Sequence, residues 1–224
     1  MEHADLRAQL VREANRLQPL GLATGSSGNL SVRIKLGELG GMLITPSGIA
    51  YESLRPEDMV EVEFTGPGTA RWDPALDPSS EWLMHQAVYQ ARPEAGAVVH
   101  GHPTYATVLA IQGLEIPALH YMIAAAGGAP IRCAPYHSYG TAALSEAAVA
   151  ALQGRKSCLL AHHGLLAFER DLAKAMWLAR EVETLAQQML MCLSLGGPRL
   201  LPAEEIDAVV EKFSRYGLKA RPLR

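Results

Sequence analysis

Lysine is scarce in this chain of 224 residues: Lys35, Lys156, Lys174, Lys212 and Lys219 are all it has. Each lies in a turn, a charged helical stretch or the tail. A Schiff-base lysine needs a desolvated setting that keeps its amine neutral, so lysine-based carbonyl chemistry is disfavoured. Three other motifs are missing. There is no HExxH helix, no GxSxG elbow and no GxGxxG turn, which argues against metalloprotease, α/β-hydrolase and dinucleotide-binding readings. The three cysteines (Cys133, Cys158, Cys192) are odd in number and widely spaced. They fit reduced thiols better than a disulfide framework. No apolar run approaches the length of about 18 residues that crosses a bilayer, and the first helix carries charges throughout in place of a signal peptide's apolar region. A cytoplasmic protein with no membrane partner is expected. The net charge is −3, with no long run of one sign. A nucleic-acid partner, which would need a basic patch, is therefore not expected. A small phosphorylated substrate stays compatible, because backbone N–H groups hold phosphate without net positive charge.

The composition, 49% hydrophobic and 19% charged, is that of a globular chain able to bury a core. Leu6, Leu10, Val11, Ala14 and Leu17 recur at helical spacing over residues 4–17. GLATGSSGNL then reads as a turn or an anion-cradling loop leading into the strand LSVRI; it lacks the Gly-Lys-Ser/Thr ending of a Walker A loop. Met42 to Thr45 is a strand ending in a Pro-Ser-Gly turn, and MVEVEF alternates like a half-exposed strand. The section GPGTARWDPALDP is rich in turn residues. A helix follows from SSEW, with Ser79 or Ser80 as its cap and Glu81 in its first turn. Further helices are expected over Thr104 to Ile111, from Thr141 to near Gly154, over DLAKAMWLAREVETLAQQMLMCLSL, and over AEEIDAVVEKFSRYG to Gly217. IRCAPY and SCLLAHHGLLAF read as strands. Helices and strands are interspersed, so residues 1–224 read as one α/β domain.

Two segments carry the chemistry. In AVVHGHP, His100 and His102 stand two apart in a strand and so project from one face. In SCLLAHHGLLAF, read as a continuous apolar strand, neighbours point to opposite faces, so only one of His162 and His163 can join them. Three histidines from two strand ends match a catalytic zinc site with an open position. Neutral imidazoles leave such a metal a strong Lewis acid toward a carbonyl or enediolate oxygen. A nearby carboxylate free of the metal could then move protons, and Glu81 is a candidate; a plain capping role for it is the alternative.

The series GNLSVR, MLITPSGI, SSEW, AVVHGH, IPALHYMIAAAGG, CAPY and LLAHHGLL, in that order, resembles the class II aldolase/ribulose-phosphate epimerase family over nearly the whole chain. The resemblance implies a three-layer α/β domain with a central, mainly antiparallel or mixed sheet between helices. It implies a homotetramer with active sites at subunit interfaces and one zinc ion (Zn2+) per subunit, other divalent metals being possible. Carried over position by position, His100, His102 and His163 ligate the metal, with Glu81 joining them at rest and then serving as acid/base. His162 faces away. Gly28, Asn29, Ser47, Gly48, Ser79 and Ser80 hold the substrate phosphate, Tyr121 protonates the departing aldehyde oxygen from an adjacent subunit, and Tyr216 helps close the site. The implied reaction is reversible cleavage of L-fuculose 1-phosphate, or a similar deoxy-ketose 1-phosphate, to dihydroxyacetone phosphate and L-lactaldehyde. Aldolases or dehydratases for deoxyribulose or methylthioribulose 1-phosphate are the nearest alternatives. Glu81 argues against a 4-epimerase, which resembles this pattern with aspartate there, and the intact histidines argue against a cytoskeletal head domain. Ser26 and Ser47 replace the usual threonine, Tyr139 replaces phenylalanine near the aldehyde region, and IKLGELGGM is slightly long.

Overall fold

The computed structural model describes residues 2–215. Eight strands make one sheet: β1 (Asn29–Ile34), β2 (Gly41–Ile44), β3 (Val60–Gly66), β4 (Thr69–Arg71), β5 (Ala97–Gly101), β6 (Cys133–Ala134), β7 (Ser157–Leu160) and β8 (Gly164–Glu169). Their spatial order is β4-β3-β2-β1-β5-β8-β7-β6. Every neighbouring pair is antiparallel except β6 and β7, which run parallel. The mixed, mainly antiparallel sheet matches the expectation.

Helices cover both faces: α1 (Ala4–Leu17), α2 (Trp82–Ala91), α3 (Thr104–Ile111), α4 (Ala142–Ala151), α5 (Leu172–Ser194) and α6 (Ala203–Arg215). Period-two alternation sorts the strand residues into two cores. Leu30, Val32, Ala97, Val99, Leu165 and Ala167 pack with α1, α3 and α5, while Val98, Leu160, Leu166 and Phe168 pack with α2 and α4. Central strands buried on both faces read as apolar runs rather than clean alternations. The same parity assigns His100 to the α2 side, beside Val98. Two helix starts follow their sequence signals: Asp171 accepts from Lys174 N at 2.8 Å and Thr141 from Leu144 N at 3.2 Å. Caps of this kind stabilise by about 1 kcal/mol each. At the outer end, the buried Arg7 of α1 donates to the Met59 carbonyl at 2.6 Å and pairs with Glu61, locking α1 to β3.

Three expectations need correction. SCLLAHHGLLAF is not one strand but a hairpin, in which Leu160 pairs with Gly164 and His163 N donates to Leu160 O at 3.0 Å. His162 takes a left-handed backbone at φ 55°, and a Cβ on Gly164 would run into the Gly101 carbonyl. Apolar runs on either side hid a turn built on two histidines and a glycine. Within GPGTARWDPALDP, Thr69–Arg71 forms a short edge strand on β3 after Gly68. IRCAPY contributes only Cys133–Ala134 to the sheet, because Pro130 and Pro135 lack the N–H a longer strand would need. The expected end of the last helix at Gly217 lies outside the described residues. Among the described residues, no helix is long and apolar enough to cross a membrane.

Candidate metal centre and active site

Three chain segments meet at one end of the sheet on the α2 side. β5 delivers His100, fully buried, and the residue two further on, His102. The β7–β8 turn delivers His163. Its left-handed neighbour His162 swings outward against Tyr136, their ring centroids 5.9 Å apart. The rings of His100, His102 and His163 form a near-equilateral triangle with centroids 4.7–4.9 Å apart. His100 Nδ1 donates to Leu165 O at 2.8 Å, which leaves its Nε2 facing the centre of the group. The Nε2 of His102 lies 3.0 Å from it.

Glu81 completes the set. It occupies the N-cap position of α2, yet its side chain makes no capping bond. Its Oε2 lies 3.1 Å from His100 Nε2 and its Oε1 3.2 Å from His163 Nε2. The expected cap moves accordingly: the helix begins at Trp82, and Ser79 Oγ accepts from Glu81 N at 3.3 Å as part of the approach turn. Ionisable atoms of the four residues all lie within 4.8 Å of one another. Three imidazoles and a carboxylate are a donor set suited to a divalent transition metal. Glu81 Oε1 is buried with no hydrogen-bond partner, as expected of an atom whose natural partner is a cation. The residues fit a metal.

The electrostatics agree. Burial resists ionisation of Glu81, but His100 and His163 together outweigh it and hold the carboxyl well below its ordinary range. Burial also resists charging His100, and Glu81 overcomes this to raise its pKa. His102 is pushed down to about 4 by burial and then by its two histidine neighbours. One buried carboxylate therefore organises the charge of the whole cluster.

The cluster forms one wall of a cavity of about 380 Å³. Gly28, Asn29, Ser47, Gly48, Ser79 and Ser80 also line it, with Ser26, Ser27 and Pro46 beside them, and so do Tyr136, His137, Tyr139 and His162. Among the described residues no lysine or arginine lines it. An anion there meets hydroxyls, backbone N–H groups and the positive end of α2. Gly28 sits at φ 123° with its α-carbon so close to β5 that a Cβ would lie 3.0 Å from His100 O; loop and metal cluster are in direct contact.

A family model described as the Class II Aldolase and Adducin N-terminal domain matches residues 8–190. The chain belongs to this family. It is 49% identical over 216 residues to a 5-methylthioribulose-1-phosphate/5-deoxyribulose-1-phosphate aldolase of Rhodospirillum rubrum, covering 96% of this chain and 94% of that one. It is 48% identical over 220 residues to an L-fuculose phosphate aldolase of Escherichia coli, covering 98% and 99%. A solved L-fuculose 1-phosphate aldolase superimposes with a TM-score of 0.88 at 39% identity, covering 96% of this chain and 98% of that one. The fold is that of the class II aldolases, and the chain is a metal-dependent lyase.

Placed on this class II aldolase, the sequence-derived site residues divide into three groups. His100, His102, His163 and Glu81 come together, and Gly28, Asn29, Ser47, Gly48, Ser79 and Ser80 line the adjoining cavity. Tyr121 does neither: it opens a short 3-10 turn (Tyr121–Ala126), is half exposed, and stacks near His120 with centroids 4.7 Å apart. Tyr216 lies outside the described residues. Sequence reasoning missed His85, Ser31 and Tyr89, which lie buried behind Glu81 and Asn29. The legible signal was the spacing of His85, one helical turn after Glu81 and hence on the same face.

Proposed function

We propose that this chain reversibly cleaves L-fuculose 1-phosphate, or a closely similar deoxy-ketose 1-phosphate, to dihydroxyacetone phosphate and L-lactaldehyde. The observation that carries this reading is the position of Glu81. It touches two of three clustered histidines and also lines a cavity that includes serines, glycines and a helix N-terminus. His100, His102, His163 and Glu81 would hold the ion, zinc by donor type. When bound, the ion supplies Lewis-acid polarisation of the ketose carbonyl.

The chain's own residues do the rest. The serine and glycine wall orients the phosphate, so that the bond to be broken lies toward the histidines. In the cleavage direction, the carbon that stays with the phosphate half gains a proton as the bond to the aldehyde half breaks. Glu81 is the group placed to give it, and in synthesis to take it. In synthesis Tyr121 of an adjacent subunit protonates the aldehyde oxygen, and in cleavage it takes that proton back from the hydroxyl that becomes the aldehyde, with Tyr216 closing the site. This requires a homotetramer with sites at its interfaces, and the exposed face of Tyr121 supports it. The free thiols Cys133, Cys158 and Cys192 support a reducing, cytoplasmic setting, and residues 1–224 are read as one domain.

A second reading, a 5-methylthioribulose or 5-deoxyribulose 1-phosphate aldolase, is favoured by the Rhodospirillum relative's identity of 49%. The two share every group named above and differ only in the aldehyde half, which would lie toward Tyr136, Tyr139 and His162. A coupled assay for dihydroxyacetone phosphate release from a panel of ketose 1-phosphates, with and without chelator, decides between them. Release from none of them, or release unaffected by chelator, overturns the proposal.

A further inference from the structure

Behind Glu81, four side chains continue inward as a hydrogen-bonded row, and chemistry dictates the direction of each bond. An ionised carboxylate only accepts, so the Asn29 atom 2.9 Å from Glu81 Oε2 is the amide nitrogen. The Asn29 oxygen then faces His85 Nε2 at 2.6 Å, so that nitrogen carries the proton. His85 is completely buried and burial keeps its imidazole neutral. Its Nδ1 is therefore bare and accepts from Ser31 Oγ at 2.7 Å. Ser31 Oγ in turn accepts from the Tyr89 hydroxyl at 2.8 Å. Every proton in the row points toward Glu81 Oε2, and bonds aligned head to tail polarise and strengthen one another.

Register explains how the row is assembled. β1 lies antiparallel to β5 with Asn29 opposite His100 and Ser31 opposite Val98. Asn29 and Ser31 share a face, and His85 and Tyr89 are four apart on α2. Two elements with matching period thus interleave four polar side chains in an otherwise apolar layer. Burying them unpaired would cost several kcal/mol, and here each finds its partner.

We propose that this row fixes Oε1 as the oxygen of Glu81 that takes and gives the proton, with His85 as the positioning residue that locks it. Each carboxylate oxygen faces one histidine, Oε2 that of His100 at 3.1 Å and Oε1 that of His163 at 3.2 Å, but only Oε2 is also anchored by an amide, that of Asn29. The row is not a proton wire, because the Asn29 amide cannot accept a proton and pass one on. A proton on Glu81 therefore leaves through Oε1, on the side of His163. This inference rests on the proposed role of Glu81.

The test uses His85→Gln, which keeps an N–H for the Asn29 oxygen, and His85→Leu, which fills similar space without one. His85→Leu should lower kcat about tenfold or more, as expected when a reacting group is misplaced, with KM within about twofold and bound metal unchanged. His85→Gln should restore most of that loss. Independently, long-range ¹H–¹⁵N spectra of metal-free protein labelled in histidine nitrogen should show His85 protonated at Nε2 and bare at Nδ1. Tyr89→Phe should shift the Nδ1 signal alone. Equal losses in both His85 variants would mean simple packing, and an Nδ1-protonated His85 would mean the row runs the other way; either overturns the proposal. If His85→Leu fails to fold, kcat of His85→Gln far below wild type does the same. A wild-type enzyme that cleaves no ketose phosphate refutes the proposed function, and the assignment of Oε1 with it. The tautomer would still report whether the row exists.

Discussion

Replacing Glu81 with glutamine removes one charge and one proton acceptor while leaving side-chain size almost unchanged. The structure gives the new amide a resting place. Its oxygen can take the hydrogen bond from Asn29, now 2.9 Å from Oε2, and its NH2 can face His163, 3.2 Å from Oε1. No repacking is needed, and His100, His102 and His163 still provide three metal ligands. What disappears is the ability to hold a proton at the reacting carbon. General acid–base groups contribute roughly 10²- to 10⁴-fold, so kcat should fall by that factor, about 3–5 kcal/mol in the barrier. Metal content by elemental analysis should stay near one ion per chain. The assay is coupled release of dihydroxyacetone phosphate at saturating substrate. A Glu81→Gln enzyme with kcat within about threefold of wild type would refute the role of Glu81, because no loss of general acid–base catalysis is that small.

Three further outcomes follow from the same geometry. His163→Asn should lose most metal affinity, whereas His162→Asn, which alters only the ring stacked near Tyr136, should bind metal normally; the reverse pattern in a metal titration would show the turn assignment to be wrong. In metal-free protein Glu81 raises the pKa of His100, so metal must expel a proton from it wherever the pH lies below that raised value. Affinity should therefore climb with pH through that raised value, about tenfold per unit for one proton, with no further contribution above pH 5 from His102, whose pKa is lowered to about 4; flat affinity from pH 5.5 to 8.5 would contradict the pairing. Gly28→Ala places a Cβ 3.0 Å from His100 O at a backbone angle of 123°, which should cost about 1–3 kcal/mol of stability and raise KM for the phosphorylated substrate; an unchanged Tm would remove the argument for close contact.

The histidine pairs show what could be read from the sequence and what could not. AVVHG is a strand in both readings and His102 follows it directly; the rings of His100 and His102 meet, as the i, i+2 rule expects. For His162 and His163 the conclusion that one joins and one leaves survives, but its reason changes. They sit in a hairpin turn, where the left-handed residue His162, not strand alternation, sends the rings apart. Periodicity is blind there because both flanking runs are buried and equally apolar. The edge strand Thr69–Arg71 was hidden by its glycine- and proline-rich surroundings. The partners of Glu81 were hidden for another reason: Ser31 looks like the polar half of an alternating strand, and nothing in sequence spacing says that its face is buried against α2.

Charge along the cavity gives the site a direction. A phosphate group carries close to two negative charges near neutral pH, yet no lysine or arginine lines the described cavity wall. Its attraction comes from the α2 N-terminus and from hydroxyl and amide donors, which hold a dianion without adding a formal charge. The carboxylate that begins α2 is the exception, since an anion at that position competes with the phosphate for the helix dipole. Turning Glu81 inward resolves the competition. His100 and His163 lie against it and Asn29 anchors it, which in the proposed function leaves the positive end of the helix for the substrate. In the proposed function, a helix start that would ordinarily be closed by its own acid is thereby freed for phosphate, and the acid is delivered to the place where a proton must move.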